Sequence, residues 1–508
     1  MPLFRPRDRR YRVLYDVHAW IGAIAGLVLY LMFVTGIVAL VWHPVGAWEE
    51  PAHHVAPVED VDTWWNELAE TEREPTRLTL NLPEPEQGHR APVGYVSTEQ
   101  GESTQWVWRE DGWGRARSHA GLFLFRVHFL YHSAVPILYT LGGLISLAML
   151  LAILTGLGIH LRKVIPEMNR FRAHLPARGL WSDLHKVSAV AGLPFQLMIA
   201  YTAALIVLGP YAIAAVGVPL YGGDLERVQT VALGEQAPKI DAEEELAPQA
   251  SASAWIAAAK EAIPDMEVVR LRTAKPGLAT TVIRVNGRIE DAPGRVTVYV
   301  AGTSAEVLAV RDRSADTVPA AAQRWLLSLH FAELGGWGLK LVYALLALLT
   351  AITVLTGIGL WLERRAGRVI RRSDRTLARM TAGIGGGLPV AIAFTLLASL
   401  VVPADWASRN PTIELAFVLT LAGAVAFGSV QAELRQAWAR LLWGGAVAFA
   451  ILPLVQAMQS GHGLLGASSP MVTAVDIGLL VTGTLLAVLA RIVARGPFRA
   501  EKPPRRPK

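Results

Sequence analysis

The sequence predicts an all-α polytopic membrane protein of about eight transmembrane helices, built on a duplicated four-helix core and carrying two small α+β modules between its spans. Three observations predict it. Of the 508 residues, 52% are hydrophobic and only 18% charged, too apolar for a soluble chain of this length. Eight runs approach or exceed the roughly 20 residues that cross a hydrocarbon layer of about 30 Å. Short motifs also recur at long period through the first four of those runs.

Residues 1–42 form a basic start and the first span, at 17–42. The arginines ahead of it imitate a secretory signal, but the apolar run is too long and no A-x-A cleavage site follows, so the span reads as uncleaved. Residues 43–125 form the first polar module. A helix-like stretch with Trp64, Trp65 and Leu68 precedes alternating runs at 77–82, 93–97 and 105–109. Residues 126–209 hold spans two (136–161) and three (186–209) and the loop between them. Residues 210–326 form the second module. It repeats the first, with a helix at 251–262 and strands at 267–273, 280–285, 295–300 and 305–311, and Asn286-Gly287 reads as a turn signal. Residues 327–365 carry span four (339–362), and 366–385 are a basic loop. Residues 386–493 form an accessory bundle of four spans at 386–402, 412–430, 441–459 and 472–493. Gly383, Gly385–Gly387 and Pro389 blur the start of span five. A basic tail, 494–508, ends the chain.

Basic residues near the span ends set the orientation. Arg5, Arg7, Arg9, Arg10 and Arg12 precede span one, and Arg162, Lys163, Arg170, Arg172 and Arg178 follow span two. Arg364, Arg365, Arg368, Arg371, Arg372, Arg375 and Arg379 follow span four. The connections at 403–411 and 460–471 hold only Arg409. Both termini are therefore expected in the cytoplasm, with both modules in the periplasm. The sequence pI near 9.5 reports this topology; no basic stripe interleaved with aromatics points to nucleic acid.

The chain has no cysteine. That excludes disulfides, thiolate-held iron–sulfur clusters and covalent haem c. Gly383–Gly387 lacks a preceding strand and a following lysine-serine pair, so it is not a phosphate cradle. No nicotinamide or flavin domain is evident, so electrons for any redox chemistry come from a separate cytoplasmic donor or a quinol.

The duplication is written in the core. Leu154-Thr155-Gly156-Leu157-Gly158 closes span two as Leu355-Thr356-Gly357-Ile358-Gly359 closes span four, and Val127-His128-Phe129 parallels Leu329-His330-Phe331. His18 opens span one as His185 opens span three. Six of the 13 histidines, His18, His128, His132, His160, His185 and His330, lie at the ends of these four spans. Pro136 breaks the path from His128 to His160. His128, His132 and His330 then gather at the outer face, and His18, His160 and His185 at the inner face.

A neutral imidazole is a metal ligand, and a low-spin haem b takes two from different helices with its plane among apolar side chains. Two non-covalent haems b are the expectation. The repeat favours His128 with His330, with His132 and His43 as substitutes; His185 pairs with His18 or His160. The simpler alternatives are interfacial histidines that anchor helix ends, or a metal ion held at i, i+4 by His128 and His132. His53-His54 read as solvated loop residues, and His89, His119 and His174 carry no signal. Spans five to eight, with His462 in an outer turn, read as a structural or partner-binding addition.

The runs Val17-His18-Ala19-Trp20-Ile21-Gly22, His128-Phe129-Leu130-Tyr131-His132, Thr155 to Lys163, Asp183-Leu184-His185-Lys186, Leu193 to Ile199 and Leu329-His330-Phe331-Ala332 resemble the PepSY-associated transmembrane helix family, also called iron-regulated membrane proteins, over about residues 10–365. The resemblance implies PepSY-like modules in the periplasm and a two-haem ferric-siderophore reductase. Such a protein would pass electrons across the membrane lipid to Fe(III) held by a periplasmic siderophore and release Fe(II). Gln196 stands where many relatives carry histidine, so no ligand carries over there. No catalytic side chain is expected, since the cofactor would carry the chemistry; Trp106, Trp108 and Trp113 are surface contacts for the acceptor. The alternatives are a haem-free regulatory or binding protein, and a siderophore or metal permease. The permease is disfavoured because spans one to four lack paired midplane charges.

Overall fold

The computed structural model describes residues 9–50, 59–87, 89–99, 103–132, 135–160, 177–224, 226–228, 230, 237–290, 294–311, 317–366, 371–461 and 469–495. Among the described residues, eight helices are long and apolar enough to cross a membrane, as the hydropathy pattern predicts. Helix α1 (Arg9–Leu40) buries Ala25, Gly26, Leu29, Tyr30, Met32 and Phe33, and a turn at Val41 leads into the short buried helix α2 (Trp42–Glu49).

The two polar regions fold together. The first supplies helix α3 (Val61–Glu70) and strands β1 (Arg77–Asn81), β2 (Val93–Ser97), β3 (Ser103–Arg109) and β4 (Gly112–Arg115). Helix α4 (Ala120–His128) then leads through a break to α5 (Ile137–His160). Pro136 lies in that break, as the missing amide of proline requires. Helices α6 (Ala177–Ala191) and α7 (Leu193–Leu220) meet at Gly192. Helix α7 runs through Pro210 to Leu220, well past the expected end at 209. The second polar region supplies α8 (Ala252–Ala262), β5 (Glu267–Ala274), β6 (Val282–Arg288), β7 (Arg295–Ala301) and β8 (Val307–Arg311). Helix α9 (Val318–His330) and span α10 (Gly336–Ala366) follow, and α11 (Arg372–Val401), α12 (Arg409–Val430), α13 (Leu434–Ser460) and α14 (Pro470–Arg495) complete the described chain.

All eight strands belong to one sheet in the order β4-β3-β2-β1-β5-β6-β7-β8. The sequence suggests two modules; the structure joins them edge to edge. β1 and β5 run antiparallel with Thr79 opposite Arg272, so the strand order reads outward identically from the seam. The join also removes two exposed sheet edges, which would otherwise invite association. Helices α3 and α8 cover one face, with Trp65 and Trp255 5.3 Å apart, and Asp62 accepts from the Ser253 amide at 2.7 Å.

Two local expectations are corrected here. Asn286 and Gly287 lie inside β6, opposite Thr297 and Val296. Glycine is required there because a Cβ would fall 2.1 Å from Met266 Cγ: close packing, not a turn, is the reason. Of the three tryptophans expected as surface contacts, one is buried in the fold and two are half-buried. Trp108 is buried and donates to Glu59, and Trp113 donates to the Trp64 carbonyl. Trp106 lies in β3 within reach of Arg115.

In the spanning region α1 packs against α5 and α10, α7 against α5, and α6 against α10. Helices α11–α14 form their own bundle. The glycines that blur span five let α11 approach α12 closely, since a Cβ on Gly383 would fall 2.5 Å from Val425 Cα. This bundle docks on α1, α2 and α4 through polar ties. Tyr30 donates to the Gly385 carbonyl at 2.8 Å, and the Trp48 indole donates to Asp476 at 2.7 Å.

Candidate functional site

The structure brings together four of the six histidines, as two pairs. His128 is the last residue of α4 and His330 the last of α9; their ring centroids are 6.3 Å apart. His18 on α1 and His185 on α6 stand 6.1 Å apart. Each pair thus joins equivalent positions of the two halves. The His128/His330 pair lies toward the sheet and the His18/His185 pair toward the opposite end. His128 contacts α1 at Met32, so the two levels are separated along α1 by about 20 Å at 1.5 Å per residue. Leu29, Phe33, Met149 and Phe195 belong to the apolar core of this region.

Hydrogen bonds fix the tautomers. His18 Nδ1 lies 2.8 Å from the Ala152 carbonyl, His185 Nδ1 2.9 Å from the Thr353 carbonyl, and His128 Nδ1 2.7 Å from the Met32 carbonyl. A carbonyl only accepts, so each Nδ1 carries the proton and each Nε2 keeps its lone pair. His330 Nδ1 lies 2.9 Å from Thr202 Oγ1.

Glycine makes room for three of the rings. Each time it stands four residues, about one helical turn, after the accepting carbonyl. A Cβ on Gly36 would fall 2.9 Å from His128 Cε1; on Gly156, 3.1 Å from His18 Cε1; on Gly357, 3.1 Å from His185 Cε1. The Leu-Thr-Gly motifs noted as a repeat signature are therefore seats for imidazole rings. Their role was invisible in the sequence because ring and seat lie on different helices.

These residues can be tested against a bis-imidazole metal centre. Two metal–nitrogen bonds of about 2.0 Å, with about 1.1 Å from each nitrogen to its ring centre, span about 6.2 Å, and both pairs match. Among the described residues no group of three or more His, Asp or Glu side chains could hold a metal ion. Two imidazoles with no further protein ligand fit a metal whose remaining bonds come from a macrocycle. Cavities of about 180 and 890 Å³ both reach His128 and His330. The smaller is walled by apolar side chains such as Leu29, Met149 and Val207. The larger extends to Glu84, Arg288, Arg295 and Lys340 below the sheet. The residues fit a haem.

The other two expected histidines lie outside the pairs. His132 Nε2 lies 3.2 Å from Glu414, whose second oxygen is 3.1 Å from His119 Nε2, so both tie α12 to the core. His160 ends α5 near enough to His185 to act on it electrostatically. His43, the other substitute, has its ring 3.7 Å from that of Trp42, tilted by 36°, and lines the larger cavity. Its carbonyl accepts from His89 Nε2 at 2.9 Å. Burial holds His89 down to about 4, and holds His43 well below its usual range with help from His89 and nearby cations. Both are therefore neutral near pH 7. His53, His54, His174 and His462 lie outside the described residues.

The seat of His128 depends on a residue sequence reasoning did not single out. The buried Glu49 carboxylate accepts from the Ala120 and Gly121 amides at 2.9 and 3.1 Å, capping the first turn of α4. An anion belongs at that helix end, yet burial pushes the Glu49 carboxyl up to about 7 against the opposing hydrogen bonds from Ser399, Gly121 and Ala120.

Residues 15–364 match the family model for the PepSY-associated TM region. The chain belongs to this family. The match holds all four paired histidines and their seats, while α11–α14 lie beyond it. The chain is also similar to a Pseudomonas aeruginosa protein, "Uncharacterized protein PA4219", 26% identical over 332 residues, which cover 56% of this chain and 81% of that protein. As a PepSY-associated TM protein it is a multi-pass membrane protein with its paired histidines inside the family region.

Proposed function

We propose that this PepSY-associated TM protein is a two-haem oxidoreductase of the bacterial inner membrane. It would move electrons from a cytoplasmic donor or the quinol pool to a periplasmic acceptor, with both termini in the cytoplasm and the sheet in the periplasm. The observation that carries the reading is the 6.1 and 6.3 Å spacing of two imidazole pairs at opposite ends of one four-span core. Bound between those pairs, haem b would supply reversible one-electron chemistry.

The chain's own residues do the rest. Ala152, Thr353 and Met32 carbonyls orient three ligands and raise their donor strength. The apolar walls around Met149 and Phe195 exclude water from the space between the levels. The larger cavity leads from His128 and His330 to the sheet and gives an acceptor an approach lined by Arg288, Arg295 and Lys340 together with Glu84.

The acceptor we favour is Fe(III) held by a siderophore. Ferrous iron binds hard oxygen ligands less tightly, so one-electron reduction releases it. The test is reoxidation of the dithionite-reduced, purified protein by a ferric hydroxamate and a ferric catecholate under anaerobic conditions, with Fe(II) trapped by a ferrous chelator. Stoichiometric Fe(II) supports the reading; reoxidation by oxygen or quinone alone would point to a different acceptor.

A further inference from the structure

Three of the four paired histidines bond a main-chain carbonyl and rest against a glycine one turn further on. The fourth does not. At His330 the equivalent carbonyl belongs to Met198, and Thr202 stands where the other three sites have glycine. Its hydroxyl donates to the Met198 carbonyl at 2.8 Å, with Ile199 O at 3.2 Å, which leaves its oxygen to accept from His330 Nδ1 at 2.9 Å. Thr202 is 1% exposed, so its hydroxyl oxygen is not shared with bulk solvent.

We infer that Thr202 is a positioning residue that weakens the electron donation of His330 and so holds the sheet-side haem at a higher potential than the far-side one. This rests on the two-haem reading above. An amide carbonyl is a stronger acceptor than a hydroxyl oxygen. The more strongly Nδ1–H is held, the more imidazolate character reaches the metal and the more the ferric state is favoured. Far-side ligands His18 and His185 both have carbonyl acceptors; the sheet-side pair has one carbonyl and one hydroxyl. The resulting order of potentials favours electrons on the sheet side, where the larger cavity opens.

A purely structural role is the competing explanation. Threonines that bond back to the preceding turn are ordinary in apolar helices, and Thr155, Thr350 and Thr356 do so here. Such a role leaves redox potential untouched, so potential is the measurement to make. Spectroelectrochemical titration of the purified full chain should show two one-electron waves, the far-side wave identified by its loss in His185→Ala. Thr202→Val removes the acceptor and should raise only the sheet-side wave. Thr202→Gly copies the other three seats, lets the ring approach the Met198 carbonyl and should lower it. Thr202→Ser should leave it near the parent value. If Thr202→Val also expels the sheet-side haem, the sign of the Thr202→Gly shift decides. Unchanged waves in both the Val and Gly variants, or a shift of the two waves together, would overturn the inference while leaving the two-haem reading intact. A parent protein without haem would overturn that reading and the inference with it.

Discussion

His128 and His330 close helices α4 and α9 in different halves of the duplicated chain, and their rings face each other at 6.3 Å. His18 and His185 do the same at 6.1 Å near the other end of the core. Two pairings of equivalent residues, at nearly one spacing, follow from a single local device used in both halves: an imidazole whose Nδ1 proton is held by the neighbouring helix.

The first prediction separates the pairs from the other histidines. His128→Ala and His330→Ala should each remove one haem of two, and His18→Ala and His185→Ala should each remove the other. His132→Ala and His160→Ala should retain both. Haem per chain after purification measures it. A variant of a paired histidine that keeps two low-spin haems would remove that residue from the ligand set.

The glycine seats should tolerate no side chain. Gly36→Val should displace His128 and empty the sheet-side site, because even a Cβ would lie 2.9 Å from the ring. Gly357→Val should act the same way on His185 at the far side. Gly22, with nothing within 4 Å of a Cβ, should accept alanine with full haem content. Equal losses in all three would indicate general misfolding.

Glu49 should impose a pH dependence on stability. Its carboxyl titrates at about 7 in the folded chain against 4.5 for the free group. Between those values the folded protein binds the extra proton, so this group's contribution is complete below pH 4.5, declines as pH rises to about 7 and stays low above. Glu49→Gln cannot ionise. Relative to the parent it should therefore gain stability between pH 5 and pH 8, on the order of 3 kcal/mol at most. Thermal unfolding in detergent at the two pH values checks this; parallel pH profiles for parent and variant would contradict it.

The accessory bundle should be held by its buried polar ties. Asp476→Ala leaves the Trp48 indole N–H without its partner and should cost about 1–3 kcal/mol. Haem content should stay at two, because Asp476 lies outside both pairs. Thermal unfolding and haem content, read together, test this; haem loss without loss of stability would contradict it.

Much of this architecture is legible in the chain. Eight spans, the break at Pro136, the helix-then-strands order of both polar regions and the pairing of His128 with His330 follow from hydropathy and repeat spacing. The choice between His18 and His160 as partner of His185 does not. All three lie at one end of the spans, and only helix packing decides which rings face each other. The single sheet was hidden because the β1–β5 seam joins distant segments by main-chain bonds that leave no mark on side-chain pattern. Asn286-Gly287 misled for a related reason: a glycine needed for close packing against Met266 looks the same in sequence as one needed for a turn. The roles of Thr202 and Glu49 were not legible because their partners, His330 and the α4 amides, are far away in the chain.

The most direct measurement is the absorption spectrum of the detergent-purified protein from haem-sufficient cells, oxidised and dithionite-reduced, with haem counted as the pyridine haemochrome. Two paired-histidine centres predict sharp b-type bands at about two haems per chain. A colourless protein would contradict the haem reading, and a haem-free binding or regulatory role in the membrane would take its place.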